Sequence, residues 1–299
     1  MRTRNYATAL SAAAGLAAAL LLTACSGSGS SPSAGSTTSS PPVPAANVTV
    51  TDQEDSNWAG YVVASSATKP ASFSSVSGSW TQPTANCGAG SPSHSAFWVG
   101  LGGYTGAHLE QTGTSADCTA SGQAVYSVWY ELVPAAQVAV NMTVQPGDQL
   151  SAHVAVSGDT VALSISDLTR HATFSKRLTM SSPGVSSAEW IAEAPSQCVS
   201  SSTQDCRILS LADFGSVTFT DASVSADGRT GSITSGLGPV SALTLEANPA
   251  YGRLYATAAP ANASPGALSG NGSSFTVSWR RPEVQMPAPS VIPIGPFYH

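Results

Sequence analysis

The stretch Ser187-Ala-Glu-Trp-Ile-Ala-Glu-Ala-Pro195 places two carboxylates in an apolar run of a chain in which only 9% of residues are charged. Side chains of a β-strand alternate between its two faces, so Glu189, Ile191 and Glu193 share one face while Trp190 lies on the other. Burial of an unpaired carboxylate costs several kcal/mol, and Glu189 is therefore solvated, paired or kept for chemistry. For Glu193 we expect the ordinary role of a solvated strand residue.

The region around this stretch reads as β-structure throughout. Short alternating runs bounded by Gly, Pro, Ser and Asn extend from about residue 56 to 280, with hardly any helical periodicity. Turn sequences such as Pro146-Gly147-Asp148 separate the runs. The pattern predicts one all-β domain over residues 56–280, a β-sandwich of two antiparallel sheets.

The N-terminal residues predict export. Residues 1–24 combine two arginines with an apolar run too short for a spanning helix, which is typical of a signal peptide. The sequence Leu22-Thr-Ala-Cys25 resembles the bacterial lipoprotein box, so we expect a lipid on Cys25. Residues 25–55 are expected to form a Ser/Gly/Pro-rich tether, and residues 281–299 a proline-rich tail. The domain would then stand outside the cell, tethered to the outer face of the membrane.

Charge and cysteine content narrow the function classes. Without the two signal-peptide arginines, nine basic and 17 acidic residues remain, a formal charge of −8, which argues against nucleic acid as a partner. Besides Cys25 the chain has four cysteines, and an even number in an exported protein favours disulfides over a zinc site. Of the three possible pairings we favour Cys87 with Cys118 and Cys198 with Cys206, on sequence proximity alone.

Familiar catalytic motifs are missing from the sequence. It contains no G-x-S-x-G elbow, no H-E-x-x-H pair, no phosphate-binding Gly-Lys loop and no D-T-G or D-S-G pair. Three polar residues stand out instead inside aromatic or apolar strands: Gln111 in HLEQTG, Glu131 in SVWYELVP and Glu189 in SAEWIAEA.

These segments resemble the glutamic peptidase family, the eqolisins, in the order in which that family carries them. The matching blocks are NWAGYVV at 57–63, SGSWTQP at 77–83, FWVGLGG at 97–103, EQTG at 110–113, YSVWYELVP at 126–134, PGD at 146–148, AEWIAEAP at 188–195 and LADFGSVTFTDAS at 211–223. The resemblance implies a concanavalin A-like, jelly-roll sandwich whose concave face binds an extended polypeptide.

The same resemblance implies the roles of individual residues. The family's catalytic pair falls on Gln111 and Glu189, its supporting glutamate on Glu131, and its active-site tryptophans on Trp58 and Trp98. It implies an acid endopeptidase that needs neither cofactor nor metal. We further expect a monomer whose only membrane contact is the lipid on Cys25.

The chemistry of such a pair can be argued from the residue types. A carboxylate can remove a proton from water and later return it to the leaving amine, while an amide can orient that water and donate to the oxyanion. Because the amide does not titrate, the pair avoids the coupled ionisation of two carboxylates and suits acidic pH.

Two departures from the family pattern stand beside these likenesses. Gly102 follows the F-W-V-G-L run where the family has an aspartate, and Glu110 replaces an apolar residue, although it should point away from Gln111. Two other functions stay open on the sequence alone. One is a lectin-like carbohydrate-binding sandwich, and the other is a retaining glycosidase that uses Glu131 and Glu189 about 5 to 5.5 Å apart.

Overall fold

Alternation of buried and more exposed side chains builds the strands of this protein. From Thr160 to Asp167, for example, every second residue is buried. The computed structural model describes residues 48–198, 206–246 and 261–281, and the regular structure in these ranges is all β. The strands are β1 (Val50–Asp55), β2 (Trp58–Ala64), β3 (Phe73–Thr81), β4 (Ala96–Gly102), β5 (Leu109–Cys118), β6 (Ala124–Val133), β7 (Val138–Val140), β8 (Gln149–Ser157), β9 (Thr160–Asp167), β10 (Ala172–Thr179), β11 (Ser187–Glu193), β12 (Ser196–Cys198), β13 (Cys206–Ile208), β14 (Ser216–Ala226), β15 (Arg229–Gly231), β16 (Val240–Leu245), β17 (Asn262–Pro265) and β18 (Phe275–Arg280).

The strands form two layers, which confirms the predicted β-sandwich. The front sheet runs in the order β16-β2-β11-β4-β5-β6-β7, and the back sheet in the order β10-β9-β8-β3-β14-β18. Strand β17 links them, because it pairs with β18 and, through Leu245 and Ala263, with β16. Apart from the parallel pair of β1 and β16, the ladders are antiparallel.

Trp190 shows how the two layers are held together. Its fully buried ring points from β11 into the sandwich, and its indole N–H donates to the carbonyl oxygen of Ser77 on β3 at 2.7 Å. A Cβ on Gly78 would lie 2.8 Å from Cδ1 of this ring, so glycine makes room for it. A second cross-layer bond joins the Trp80 indole to the Thr114 hydroxyl at 3.1 Å.

The front sheet is buried on both faces. Its inner face belongs to the main core between the layers, and its outer face carries a smaller apolar cluster. That cluster contains Val62, Ala64, Ala96, Trp98, Leu109, Trp129, Ile191 and Leu243. We call this outer surface the front face. Burial on both sides explains why β4 reads as a continuous apolar run instead of an alternating one.

Several expectations about the chain outside the core can now be placed. Residues 50–55, assigned to the tether from sequence, form strand β1, which pairs with β16. A disulfide joins Cys87 and Cys118, as predicted. Cys206 is also disulfide-bonded, and the backbone of Cys198 lies directly opposite it in the β12–β13 ladder.

The remaining N- and C-terminal predictions lie outside the described residues. These are the signal peptide, the lipid on Cys25, residues 26–47 of the tether and the tail beyond residue 281. None of the described residues forms a helix of the length and apolarity that a membrane span requires.

Candidate active site

The three predicted polar site residues and one glycine lie in a single row across the front sheet. Glu189 on β11 is the register partner of Gly100 on β4, Gly100 pairs with Gln111 on β5, and Gln111 pairs with Glu131 on β6. Register partners of neighbouring strands point to the same face. The structure therefore brings Gln111, Glu131 and Glu189 together on the front face, and Gly100 lies between Gln111 and Glu189.

Gly100 creates a gap between Gln111 and Glu189. Adjacent strands are about 4.8 Å apart, so the two residues start about 10 Å apart at the backbone. A Cβ on Gly100 would lie 2.9 Å from both Leu109 Cδ1 and Trp98 Cζ3, and 3.2 Å from the Cβ of Gln111. Only glycine fits there without displacing its neighbours, and the side chains of Gln111 and Glu189 face each other across its position.

Gln111 is fixed in orientation by Glu131. Its Nε2 donates to Oε2 of Glu131 at 2.8 Å, while its buried Oε1 has no hydrogen-bond partner among the described residues. Burial raises the pKa of Glu131, and the hydrogen bond from Gln111 opposes that rise. This pair leaves the amide oxygen of Gln111 and the second hydrogen of its NH₂ group free for another molecule.

Glu189 is a buried carboxyl group without a hydrogen bond. It is 0% exposed, and neither carboxylate oxygen has a partner in the part of the chain that the structure describes. Burial raises the pKa of Glu189 well above its usual value, the nearby hydroxyl group of Ser187 opposes the rise, and the carboxyl group of Glu110 adds to it. A buried polar group that is left unsatisfied is costly in a folded protein, which makes Glu189 a candidate for function.

Glu193 does not behave as predicted from sequence. Instead of facing solvent, it is half-buried on the front face, with Oε1 accepting from Asn57 Nδ2 at 3.0 Å and Oε2 from Trp98 Nε1 at 2.7 Å. Burial raises its pKa to about 8, the Trp98 bond opposes the rise, and Glu131 adds to it. The sequence prediction failed because these partners are distant in the chain.

Trp58 and Trp98 pack against each other on the same face. Their ring centroids are 5.0 Å apart and the rings are nearly perpendicular, at 78°. Trp98 is fully buried and Trp58 is half-buried. The two predicted tryptophans therefore line the site beside Gly100, with Trp98 the nearer to that glycine.

A loop that starts at the last residue of β4 and runs over residues 102–108 lies against the front face. It begins at Gly102 and Gly103, with φ of +84° and +87°, a backbone conformation that glycine adopts without strain. A Cβ on Gly103 would lie 3.1 Å from Leu109 and 3.3 Å from the Trp58 ring. The Tyr104 hydroxyl donates to Gln53 Oε1 on β1 at 2.6 Å, and Ser241 Oγ on β16 is 3.3 Å away. We call this loop the Tyr104 loop.

Glu110 points away from Gln111, as its neighbouring position in the strand predicts. It is fully buried towards the interior, and both of its oxygens accept from the backbone N–H of Gly184, at 2.9 and 3.0 Å. Burial raises its pKa to about 7, and its hydrogen bond from Gly184 opposes the rise. Glu110 thus links the strand of Gln111 to the segment that leads into the strand of Glu189.

The geometry does not favour a retaining glycosidase. Three strand spacings, about 14 Å, separate the backbones of Glu131 and Glu189, and Gln111 occupies the row between them. Glu131 is also engaged by the Gln111 amide. This row does not place the two carboxyl groups at the separation of about 5 to 5.5 Å that retaining glycosidases require.

Comparisons with known proteins agree with this architecture. The model of the Peptidase A4 family matches residues 56–257. Scytalidopepsin B of Scytalidium lignicola is 31% identical over 186 residues, covering 60% of this chain and 67% of that protein. Aspergillopepsin-2 of Aspergillus niger is 28% identical over 208 residues, covering 62% of this chain and 69% of that protein. A crystal structure of scytalido-glutamic peptidase with a transition state analog inhibitor aligns with a TM-score of 0.59 at 26% identity, covering 75% of this chain and 98% of that one.

Proposed function

The chain belongs to the Peptidase A4 family and is a glutamic-type peptidase, and on that premise we propose that Gln111 and Glu189 form its catalytic dyad. The observation that carries the proposal is the shared row: both side chains face each other across the empty side-chain position of Gly100. Two further facts support it. Glu189 has no hydrogen-bond partner among the described residues, and neither has Oε1 of Gln111.

The proposed reaction is hydrolysis of a peptide bond by a water molecule held between the two side chains. Ionised Glu189 takes a proton from the water as its oxygen attacks the carbonyl carbon, and the carbonyl oxygen gains the negative charge. The free N–H of Gln111 Nε2 stabilises that oxyanion. Protonated Glu189 then gives the proton to the amide nitrogen, the C–N bond breaks, and a carboxylic acid and an amine leave.

Glu131 serves this reaction by fixing the Gln111 amide. A free amide can rotate by 180° and exchange its oxygen and nitrogen, which would turn the donor away from the oxyanion. The 2.8 Å bond from Nε2 to Glu131 selects one orientation. Preorganised donors of this kind can contribute about 10²- to 10³-fold to the rate.

The raised pKa of Glu189 affects both of its proposed roles, as the base that takes a proton from water and as the acid that gives it to the leaving amine. In the closed site burial favours the protonated form, which is the proton donor for the leaving amine. When the Tyr104 loop opens, water reaches Glu189, its pKa falls, and the ionised base forms. We therefore propose activity at acidic pH on extended polypeptides, with Trp58 and Trp98 as walls of the substrate groove.

The test is proteolysis of a denatured protein between pH 2 and 8 by the wild type, Glu189→Gln and Gln111→Ala. Glu246→Gln, at an exposed position, is the matched control. We expect cleavage at acidic pH by the wild type and the control, and none by the two dyad variants at equal folded content. Cleavage by folded Glu189→Gln at the wild-type rate would refute the dyad.

We also propose that the enzyme is exported and carries a lipid on Cys25, on the strength of residues 1–25. Replacing Cys25 with serine in a bacterial host should move the peptidase from the membrane fraction to the medium. Equal membrane association of both forms would contradict this anchor.

A further inference from the structure

Glu193 stands on the front face four residues after Glu189, in the same row as Trp58 and one row away from Trp98. Its register partners are Trp58 on β2 and Ala96 on β4. The peptidase chemistry above gives it no role, yet its carboxyl group accepts one hydrogen bond on each oxygen. Two side-chain donors from distant parts of the chain therefore converge on this carboxylate, which indicates that Glu193 has a specific role in the site.

The bond to Trp98 connects Glu193 to the gap between the dyad residues. Trp98 Nε1 donates to Glu193 at 2.7 Å, and the far edge of the same ring, at Cζ3, lies 2.9 Å from the Cβ position of Gly100. The indole therefore spans the distance between Glu193 and the gap. A rotation of the ring about Cβ would carry this edge into or out of the space between Gln111 and Glu189.

We propose that Glu193 is a positioning residue of the peptidase site, which holds the Trp98 ring at the edge of the Gly100 gap and thereby sets the space available to the attacking water. This role rests on the proposed dyad. Glu193 also holds Asn57, the residue immediately before Trp58. The Trp58 and Trp98 rings, 5.0 Å apart, are thus fixed from the same carboxyl group.

The clamp works in either protonation state of Glu193. A neutral carboxyl group still offers its carbonyl oxygen to the Trp98 N–H, and its own O–H then needs an acceptor. Asn57 supplies one, because its amide can present oxygen in place of nitrogen at the same position. Glutamine at position 193 should therefore hold Trp98 as well, whereas alanine should release it.

The experiment compares Glu193→Gln, Glu193→Ala and the exposed control Glu54→Ala in the full chain. In Glu193→Ala we expect kcat at acidic pH to fall about 10- to 100-fold, as for a small misplacement of reacting groups, with KM within about twofold. The near-ultraviolet circular dichroism of the paired tryptophans should change while the far-ultraviolet spectrum stays the same. Glu193→Gln should restore both kcat and the near-ultraviolet spectrum.

A double-mutant cycle separates positioning from general stabilisation. Trp98→Phe keeps an aromatic ring and loses the N–H, so adding Glu193→Ala to it should lower kcat much less than it does in the wild type, and the remaining loss should come from the Asn57 contact. Additive losses in kcat, or Glu193→Ala with wild-type kcat and an unchanged near-ultraviolet spectrum, would overturn the proposal. If the wild type cleaves nothing while Glu193→Ala still changes the tryptophan spectrum, the proposed function fails and the clamp on Trp98 stands as a structural contact only.

Discussion

Replacement of Glu110 by glutamine should remove a loss of folding stability that the wild type undergoes as the pH rises. Glu110 is fully buried, its carboxyl oxygens accept from the backbone N–H of Gly184, and burial raises its pKa from 4.5 to about 7. A raised pKa means that the folded state binds the proton more tightly than the unfolded state. The stabilisation is complete below pH 4.5 and is lost as the pH rises towards 7.

The size of the effect follows from this pKa. At 1.36 kcal/mol per pH unit, a change from 4.5 to about 7 corresponds to about 3 kcal/mol. Glutamine cannot ionise, so this part of the pH dependence should disappear. Its amide can accept from Gly184 and donate to a nearby backbone oxygen, since the carbonyls of Leu101 and His108 lie around Gly184.

Urea unfolding of the wild type and Glu110→Gln at intervals between pH 4 and 8 measures this directly. The free energy of unfolding of the variant, relative to the wild type, should increase by about 3 kcal/mol between pH 4.5 and 7.5. The free energy of unfolding of the variant will still depend on pH to some extent, because burial also raises the pKa of Glu189 and Glu193. Exposed Glu54→Gln should follow the wild type, and a difference between Glu110→Gln and the wild type that stays constant with pH would refute the reasoning.

Three further changes test other features. Gly100→Ala should lower kcat/KM at acidic pH by about 100-fold while the fold persists, because the methyl group fills the gap, and a folded variant with normal kcat/KM would contradict that account. Tyr104→Phe removes the hydroxyl that fastens the loop to Gln53, and kcat/KM for a denatured protein should rise about fivefold, the equivalent of one hydrogen bond; a decrease would show that the closed loop assists catalysis. Joint replacement of Cys87 and Cys118 by serine should cost about 2 to 4 kcal/mol in urea unfolding, and an unchanged midpoint would mean that the disulfide adds nothing to stability.

Local patterns in the sequence were sufficient for the fold class and for the facing of residues within a strand, while the resemblance to the eqolisins supplied the candidate site residues. Alternation placed Glu189, Ile191 and Glu193 on one face and Trp190 on the other, and the structure has Ile191 in the front-face cluster and Trp190 in the core between the sheets. The turn-bounded runs predicted the sandwich because each strand carries its own periodicity. These features depend on residues a few positions apart.

Contacts between distant residues could not be predicted in this way. Glu193 and Asn57 are 136 residues apart, and Trp98 is 95 residues from Glu193. The bond between Glu110 and Gly184 likewise joins segments whose spacing carries no signal. A carboxyl group among apolar residues indicates a buried group with a function. The identity of its partners, however, depends on the register of several strands, which the sequence does not display.

Strand β1 has a consequence for the order in which the molecule is completed. It stands just before residue 56, where the family match begins, and its described pairing is with β16. Gln53 meets Ser241, 188 residues later in the chain. During synthesis the first strand of the domain is made long before its partner, so it must wait for nearly the whole sandwich to form before it can dock. Because Gln53 also receives the Tyr104 hydroxyl, the loop over the front face is fastened only at that last step, by residues that left the ribosome among the first of the domain.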